Sequence, residues 1–384
     1  MAVLNEEQAM LKDMATEWAR DRMPVTAMRS LYDECGGGRP GDGPGFDPDI
    51  YAEMAAMGWT GILVPEAMGG SDFGYLSLGL ILEELGRTLA PTPLLSSALI
   101  MASALRLAGS ADQQQRWLPG IADGSVVGAL AVDEGAHHAP DAISLTATRT
   151  IDGWRIDGMK RPVQDGMGAT LFIVATRTSG AAGEAGGITL FLLEADIAGF
   201  SRQPLDQIDA RRPALLRFDG VTLGEDAVLG EVDGGAPLLE AILDRARVGM
   251  SAEMLGLATQ AFETTLDYLK TRVQFGRVIG SFQALQHRAA EMFAELQLTR
   301  SAVEAALTAL DTEDPDLPRL ASLAKASAAE TAHLISNQMV QLHGGIGMTH
   351  EHDAGLYLKR ARVTEQCYGS ASFHRERWGR LSGY

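Results

Sequence analysis

The sequence predicts an α+β multi-domain chain with an N-terminal α-helical domain, a central small barrel or sandwich of short strands, and a C-terminal four-helix bundle. Three observations predict it. Residues 1 to about 125 carry apolar residues mostly at helical spacing. From 126 to 230 the apolar runs shorten and turn dipeptides separate them. From Ala236 the helical period returns and persists. Domains are therefore expected at 1–125, 126–232 and 233–384 of the 384 residues.

Asn5-Glu6-Glu7 opens the first helix, an acceptor cap followed by acids in the first turn. Residues 36–45 read as a glycine-proline loop, and 50–57 resume helical spacing. Residues 58–66 read as extended and run on to Gly69-Gly70. Residues 76–89 read as an apolar helix carrying Glu83, Glu84 and Arg87. Strands are expected at 127–132, 142–148, 154–157, 170–176, 188–193 and 214–218. The turns between them include Asp152-Gly153, Asp157-Gly158 and Asp219-Gly220. Residues 180–187 read as a mobile hairpin loop, and His137-His138 as a solvated loop pair.

In the C-terminal part, Leu239, Ile242, Leu243, Ala246 and Met250 share one helix face. Phe282, Leu285, Ala289, Met292, Leu296 and Val303 share a second. Leu320, Leu323, Ala324, Leu334 and Ile335 lie on a third helix, and residues 356–363 form a fourth. Asp314-Pro315-Asp316-Leu317-Pro318 is a turn. Short connections between long helices imply a bundle.

Lys and Arg number 32 against 50 Asp and Glu, a net charge of −18. That disfavours a nucleic-acid partner, which needs a basic face. Cys35 and Cys367 read as free thiols of a reducing compartment, and no Cys/His cluster has metal spacing. The first residues are acidic and amphipathic, unlike a secretion signal. The most apolar window, 94–107, is too short to span a bilayer. The expectation is a cytoplasmic protein with no membrane partner and no metal.

Two stretches carry the candidate chemistry. In the first, Tyr268-Leu269-Lys270-Thr271-Arg272-Val273-Gln274-Phe275-Gly276-Arg277 leads into Ser281-Phe282-Gln283. A helix ends at an Arg, a Gly permits a turn, and a new helix begins, so a cation and a helix N-terminus form an anion site. In the second, a helical run stops at Gln341-Leu342-His343-Gly344-Gly345, where the missing Cβ atoms let another molecule approach the backbone.

Together these stretches resemble the acyl-CoA dehydrogenase family. Val64-Pro65-Glu66-Ala67-Met68-Gly69-Gly70-Ser71 and Glu83-Glu84-Leu85-Gly86-Arg87 resemble its N-terminal landmark and imply packing without chemistry. The resemblance implies the small β-barrel, FAD as cofactor and an acyl-CoA substrate. It gives Arg272 the FAD pyrophosphate, Gln283 the adenine side and Phe275 packing on the cofactor, with Gln274 in the same turn. Gln341, His343, Gly344 and Gly345 would touch the flavin of a neighbouring subunit, so a dimer or tetramer follows. An electron-transfer flavoprotein is the implied acceptor.

The central domain departs from the family pattern. Ala129-Leu130-Ala131-Val132-Asp133-Glu134 keeps the expected strand and one acid. The family's Lys-x-Trp-Ile-Thr falls on Lys160-Arg161-Pro162-Val163-Gln164, leaving Gln164's amide to donate where the family has a threonine. Arg247 matches a family active-site arginine; read by itself it is equally a surface residue.

Dehydrogenation needs a carboxylate beside the acyl Cα. The position where the family carries its Glu falls on Tyr368, and the alternate position on Ala246. Glu365, about one turn away, is the nearby substitute. The first reading makes this chain one subunit of a hetero-oligomeric acyl-CoA dehydrogenase for bulky substrates such as steroid side chains, a paralogous subunit supplying the base. Its limiting form is a non-catalytic structural subunit. The second is a flavin-dependent monooxygenase or oxidase of the same fold. A homomeric dehydrogenase with an unconventional base is a third.

Overall fold

The computed structural model describes residues 4–34, 43–184, 186–209 and 211–384. Cys35 and most of the expected 36–45 loop lie outside them. In chain order the first helices are α1 (Glu6–Arg22), α2 (Val25–Glu34), α3 (Pro48–Ala56), α4 (Tyr75–Arg87), α5 (Ala102–Ala108) and α6 (Ala111–Ala122). Strands follow: β1 (Gly128–Ala131), β2 (Thr146–Thr150), β3 (Gly153–Val163), β4 (Leu171–Arg177), β5 (Ile188–Glu194), β6 (Phe200–Pro204), β7 (Ala214–Leu223) and β8 (Val228–Leu229). Then come α7 (Gly235–Thr271), the short strands β9 (Val273–Gln274) and β10 (Arg277–Val278), α8 (Gln283–Asp311), α9 (Leu317–His343), α10 (Ala354–Thr364) and α11 (Ala371–Leu381).

Two compact units result: Met1–Glu34, Tyr75–Ala90 and Arg247–Tyr384 in one, and Cys35–Gly74 with Pro91–Ala246 in the other. The first is helical. Asn5 caps α1 through a capping box with Gln8, as its sequence implies. The helices α4 and α7 meet backbone to backbone at glycines. A Cβ on Gly256 would lie 1.8 Å from the Glu83 carbonyl oxygen, and one on Gly86 would lie 2.2 Å from that of Glu253. Side chains of α4 then serve packing. Glu83 receives Arg300 at 2.7 Å and Lys12 at 3.4 Å, while Glu84 pairs with Lys12 at 3.6 Å and Arg87 at 3.5 Å. Burial, and then the neighbouring Glu83 charge, push the Glu84 carboxyl above its ordinary range.

The second unit is built on one eight-stranded sheet ordered β6-β7-β3-β2-β4-β5-β8, with β1 parallel to β4. Its strands share one core that includes Trp154, Phe172, Phe191 and Phe218. Each such side chain contributes roughly 1.5–3 kcal/mol by leaving water. This is the central sheet of short strands that the sequence predicts. The β3–β7 register slips between Lys160 and Val163, the span that contains Pro162. A proline has no N–H to give to the ladder, so an irregularity there is expected.

Residues 178–187 join β4 to β5 as the expected hairpin, and Arg177 donates to the Gly186 carbonyl at 2.8 Å and the Ser179 carbonyl at 3.4 Å. Three readings need correction. Residues 58–64 are turns and not an extended run, yet Ile62, Leu63 and Val64 are buried. Their carbonyls pair irregularly with the following segment, through Phe73 N to Ile62 O at 2.8 Å and Asp72 N to Val64 O at 3.1 Å. His138 is not solvated: its side chain is 3% exposed and its Nδ1 lies 3.0 Å from Asp133 Oδ1. Between α7 and α8 the chain inserts the β9–β10 hairpin, so α8 starts at Gln283 and not at Ser281. Strand β6 escaped notice because Ser201, Arg202 and Gln203 face outward and give no apolar run.

Candidate functional site

The first candidate surface begins where α7 stops. Arg272 N still bonds the Tyr268 carbonyl at 2.9 Å, and β9 and β10 then turn back on themselves. Phe275 and Gly276 occupy the turn at φ 54° and 77°. Two adjacent positive φ values match a tight hairpin, and the non-glycine residue there is strained. The Phe275 ring is 90% exposed and only meets Phe282 edge-on at 6.0 Å. Arg277 stacks over Phe282 at 4.1 Å. No side chain caps α8, and Leu285 N bonds the Phe282 carbonyl at 3.0 Å, which leaves the N–H groups of Gln283 and Ala284 without a side-chain cap. Arg272, Gln274 and Gln283 are exposed, and their side chains make no hydrogen bond or ion pair among the described residues.

The second candidate stretch lies at the same end. The helices α8 and α9 run antiparallel, as Thr299–Thr331 at 2.8 Å and Arg288–Gln338 at 3.2 Å show. The start of α8 and the end of α9 are therefore neighbours. His343 is buried and its Nδ1 donates to the Met339 carbonyl at 2.7 Å. Its ring stacks on Tyr268 at 4.4 Å, four residues before Arg272, and lies 4.3 Å from His352. Burial lowers the His343 imidazole below its ordinary range. Gly344 sits at φ 63°, and no atom lies within 4 Å of a Cβ built on Gly344 or Gly345. Gln341, Gly344, Gly345, Ile346 and Met348 are exposed around it.

Thus Arg272, Gln274, Phe275, Gln283, Gln341, His343, Gly344 and Gly345 come together on one unit. The set offers an unpaired guanidinium, amide side chains, a helix N-terminus, an exposed aromatic ring and open backbone. That donor set fits a flat aromatic dinucleotide with a diphosphate. Gln164 belongs to the other unit, half-buried in the turn that follows β3. Next to it, Asp165 holds φ 55° and accepts a hydrogen bond from Ser96. Lys160 on β3 is fully buried and donates to the Val132 carbonyl and to Glu134, each at 2.7 Å. Burial lowers its ammonium to about 8, Glu134 opposing the fall.

The turn between α10 and α11 carries Tyr368, the residue that falls where the family resemblance expects a base. Tyr368 is buried at φ 57°, followed by Gly369 at φ 110°. The Tyr368 carbonyl accepts from His374 Nε2 at 3.0 Å and from Arg247 Nε at 3.4 Å. Arg247 is fully buried, so it is no surface arginine. Lys325, also fully buried, donates to the carbonyls of Thr364 at 3.1 Å, Glu365 at 3.2 Å and Gly369 at 3.0 Å. Burial brings its ammonium down to about 8. Burial, together with the charges of Lys325 and Arg247, takes the His374 imidazole down to about 2, so it is neutral. Because Nε2 faces a carbonyl it carries the proton, and the buried Nδ1 has no partner. Ala246 is fully buried on α7. Glu365 is engaged by His333 at 3.0 Å and Arg362 at 3.1 Å.

Sequence reasoning missed Lys325 and His374. For Lys325 a trace existed: it is the sole charge between Leu320 and Ala329, on a face with Ala321 and Ala328. Nothing local marks His374. Among the described residues no His, Cys, Asp and Glu cluster suits a metal, and no helix is long and apolar enough to cross a membrane.

Residues 5–125 match the model of the acyl-CoA dehydrogenase N-terminal domain, and residues 233–381 match that of the acyl-CoA dehydrogenase C-terminal domain. The chain belongs to the acyl-CoA dehydrogenase family. Its sequence is 31% identical to the mitochondrial isovaleryl-CoA dehydrogenase of Solanum tuberosum over 341 residues, covering 87% of this chain and 82% of the relative. Among solved structures, a variant of the Tcur3481-Tcur3483 steroid ACAD aligns with TM-score 0.85 and 30% identity over 98% of each chain. The ChsE4-ChsE5 complex from Mycobacterium tuberculosis aligns with TM-score 0.88 and 26% identity over 100% of each chain. Family and fold are those of FAD-dependent oxidoreductases acting on acyl-CoA thioesters.

Proposed function

We propose that this chain is a subunit of a hetero-oligomeric acyl-CoA dehydrogenase acting on a bulky acyl-CoA, with a paralogous subunit supplying the catalytic base. One observation carries the reading: the strained turn where the family resemblance expects the base is buried and carries Tyr368. A neutral phenol is a poor proton acceptor compared with a carboxylate. Ala246 offers no carboxylate, and Glu365 is already held by His333 and Arg362. Kinship to steroid and two-component relatives supports the substrate class and the partner.

FAD, when bound, supplies the acceptor for the hydride that leaves the acyl Cβ. Arg272 and the α8 N-terminus neutralise its diphosphate, Gln283 and Gln274 bond toward the adenosine side, and Phe275 packs on it. On that same surface the Gln341–Gly345 backbone approaches the cofactor across an interface with a neighbouring subunit, and Gln164, on the other unit, is proposed to donate from its amide to a flavin. Arg247 holds the wall of the acyl site. The boundaries 1–125, 126–232 and 233–384 are the proposed domains, the compartment is the cytoplasm, and an electron-transfer flavoprotein is the proposed acceptor.

The test is the visible spectrum of the purified chain, alone and co-expressed with a paralogue from a neighbouring gene. Flavin bands that strengthen in a stable complex of the two chains support the reading. A chain with no flavin bands in either case points to a purely structural subunit. Oxygen consumption with a reductant and substrate, without a partner, points to the monooxygenase or oxidase reading.

A further inference from the structure

The geometry points to Lys325 and His374 as positioning residues that fix the Tyr368–Gly369 turn, and through it the side chain at position 368. The inference rests on the proposed reading that this turn borders the acyl-CoA site. It stands on convergence. Helix α10 ends at Thr364, where a helix leaves its last carbonyls without intrahelical donors. Lys325 reaches from the middle of α9 and donates to the carbonyls of Thr364, Glu365 and Gly369. A buried ammonium with three donor directions thus closes the end of α10 and the far side of the turn together. His374, in the first turn of α11, donates to the intervening Tyr368 carbonyl.

The turn needs this support because its backbone is unfavourable. Tyr368 holds a left-handed φ of 57°, a conformation that non-glycine residues rarely adopt. At Gly369, φ is 110° and an added Cβ would lie 2.6 Å from the Phe373 ring and 2.7 Å from His374 Nε2. A strained, crowded turn persists only where surrounding groups over-determine it. Here the groups come from different helices: Lys325 from α9, His374 from α11 and Arg247 from α7. An ordinary connection between α10 and α11 would need none of them, so residue 368 has a fixed place to occupy in this chain as well. Because His374 acts through one N–H, glutamine can replace that donor, whereas leucine of similar size cannot.

The experiment compares Lys325→Met, His374→Leu and His374→Gln, with the exposed Arg375→Ala as control. The first readout is amide hydrogen exchange of the 364–371 segment in the intact oligomer. Exchange is expected to rise about tenfold in Lys325→Met and His374→Leu, the scale of one lost hydrogen bond. The α8 amides should keep their protection, and His374→Gln and Arg375→Ala should behave as wild type. The second readout is turnover of the complete enzyme with acyl-CoA. A fall in kcat at nearly constant KM in His374→Leu, recovered in His374→Gln, is expected. Unchanged exchange in the folded Lys325→Met and His374→Leu proteins overturns the inference, as does equal loss of kcat in His374→Gln and His374→Leu. Where Lys325→Met fails to fold, the two His374 variants decide. Wild-type protein that never turns over acyl-CoA with any partner refutes the functional reading, and the exchange data still decide whether the two residues hold the turn.

Discussion

Protonating His374 should cost this fold stability in mild acid, and replacing it by glutamine should remove that cost. In the folded chain the imidazole is buried between Lys325 and Arg247, and its pKa falls to about 2 from an ordinary 6.5. A depressed folded-state pKa gives stability that is fully present above the unfolded value and is lost as pH falls below it. Between pH 7.5 and pH 5 the unfolded chain takes up this proton and the folded chain does not. The loss at pH 5 is then about 1.5 pH units at 1.36 kcal/mol each, roughly 2 kcal/mol. His374→Gln keeps a donor for the Tyr368 carbonyl and carries no titratable group. Urea unfolding of both proteins, at one protein concentration and at pH 7.5 and 5, isolates the effect as a difference of differences. Carboxylates titrating elsewhere cancel. The variant should gain about 2 kcal/mol relative to wild type on going to pH 5. An identical wild-type-to-variant gap at both pH values would refute the assignment of a neutral, buried His374.

Three more expectations follow from the same contacts. Gly369→Ala, with its Cβ 2.6 Å from the Phe373 ring and φ at 110°, should lose about 2–4 kcal/mol in denaturant unfolding. Lys160→Met leaves the half-buried Glu134 without its cation, though Ser144 and Leu145 still donate to it, and should cost about 2–3 kcal/mol; a smaller loss at pH 4 than at pH 7, as Glu134 protonates, would identify the cause. Arg272→Ala should leave unfolding nearly unchanged, because the side chain is exposed and unpaired, while lowering the flavin retained on gel filtration about tenfold or more.

The fold was legible because its determinants are local. Asn5 caps α1 within one turn, and the apolar positions marked by the period on α7 are buried, as are Ala324 and Ile335 on α9. The proposed cofactor surface could be picked out for a related reason: Arg272 to Gln283 and Gln341 to Gly345 are contiguous stretches, and most of their side chains are exposed in the structure. Long-range features were not. Ile62 to Val64 read as a strand because apolar residues in a row look alike whether they pair in a sheet or fill a glycine-bounded turn. His138 read as solvated because the Asp133 that buries it lies across a loop of no regular period. Lys325 and His374 reach backbone carbonyls, groups every residue has, so no side-chain pattern announces the partner. Arg247 read equally well as a surface residue, and its complete burial beside the Tyr368 carbonyl rules that reading out.

The central claim is that this chain helps to build the flavin site but does not carry the base. Anaerobic titration of the purified chain with a bulky acyl-CoA tests it most directly, first alone and then with the paralogous subunit added. The account predicts that the flavin absorbance holds for the chain alone and bleaches once the paralogue is present. Bleaching of the chain alone would contradict it.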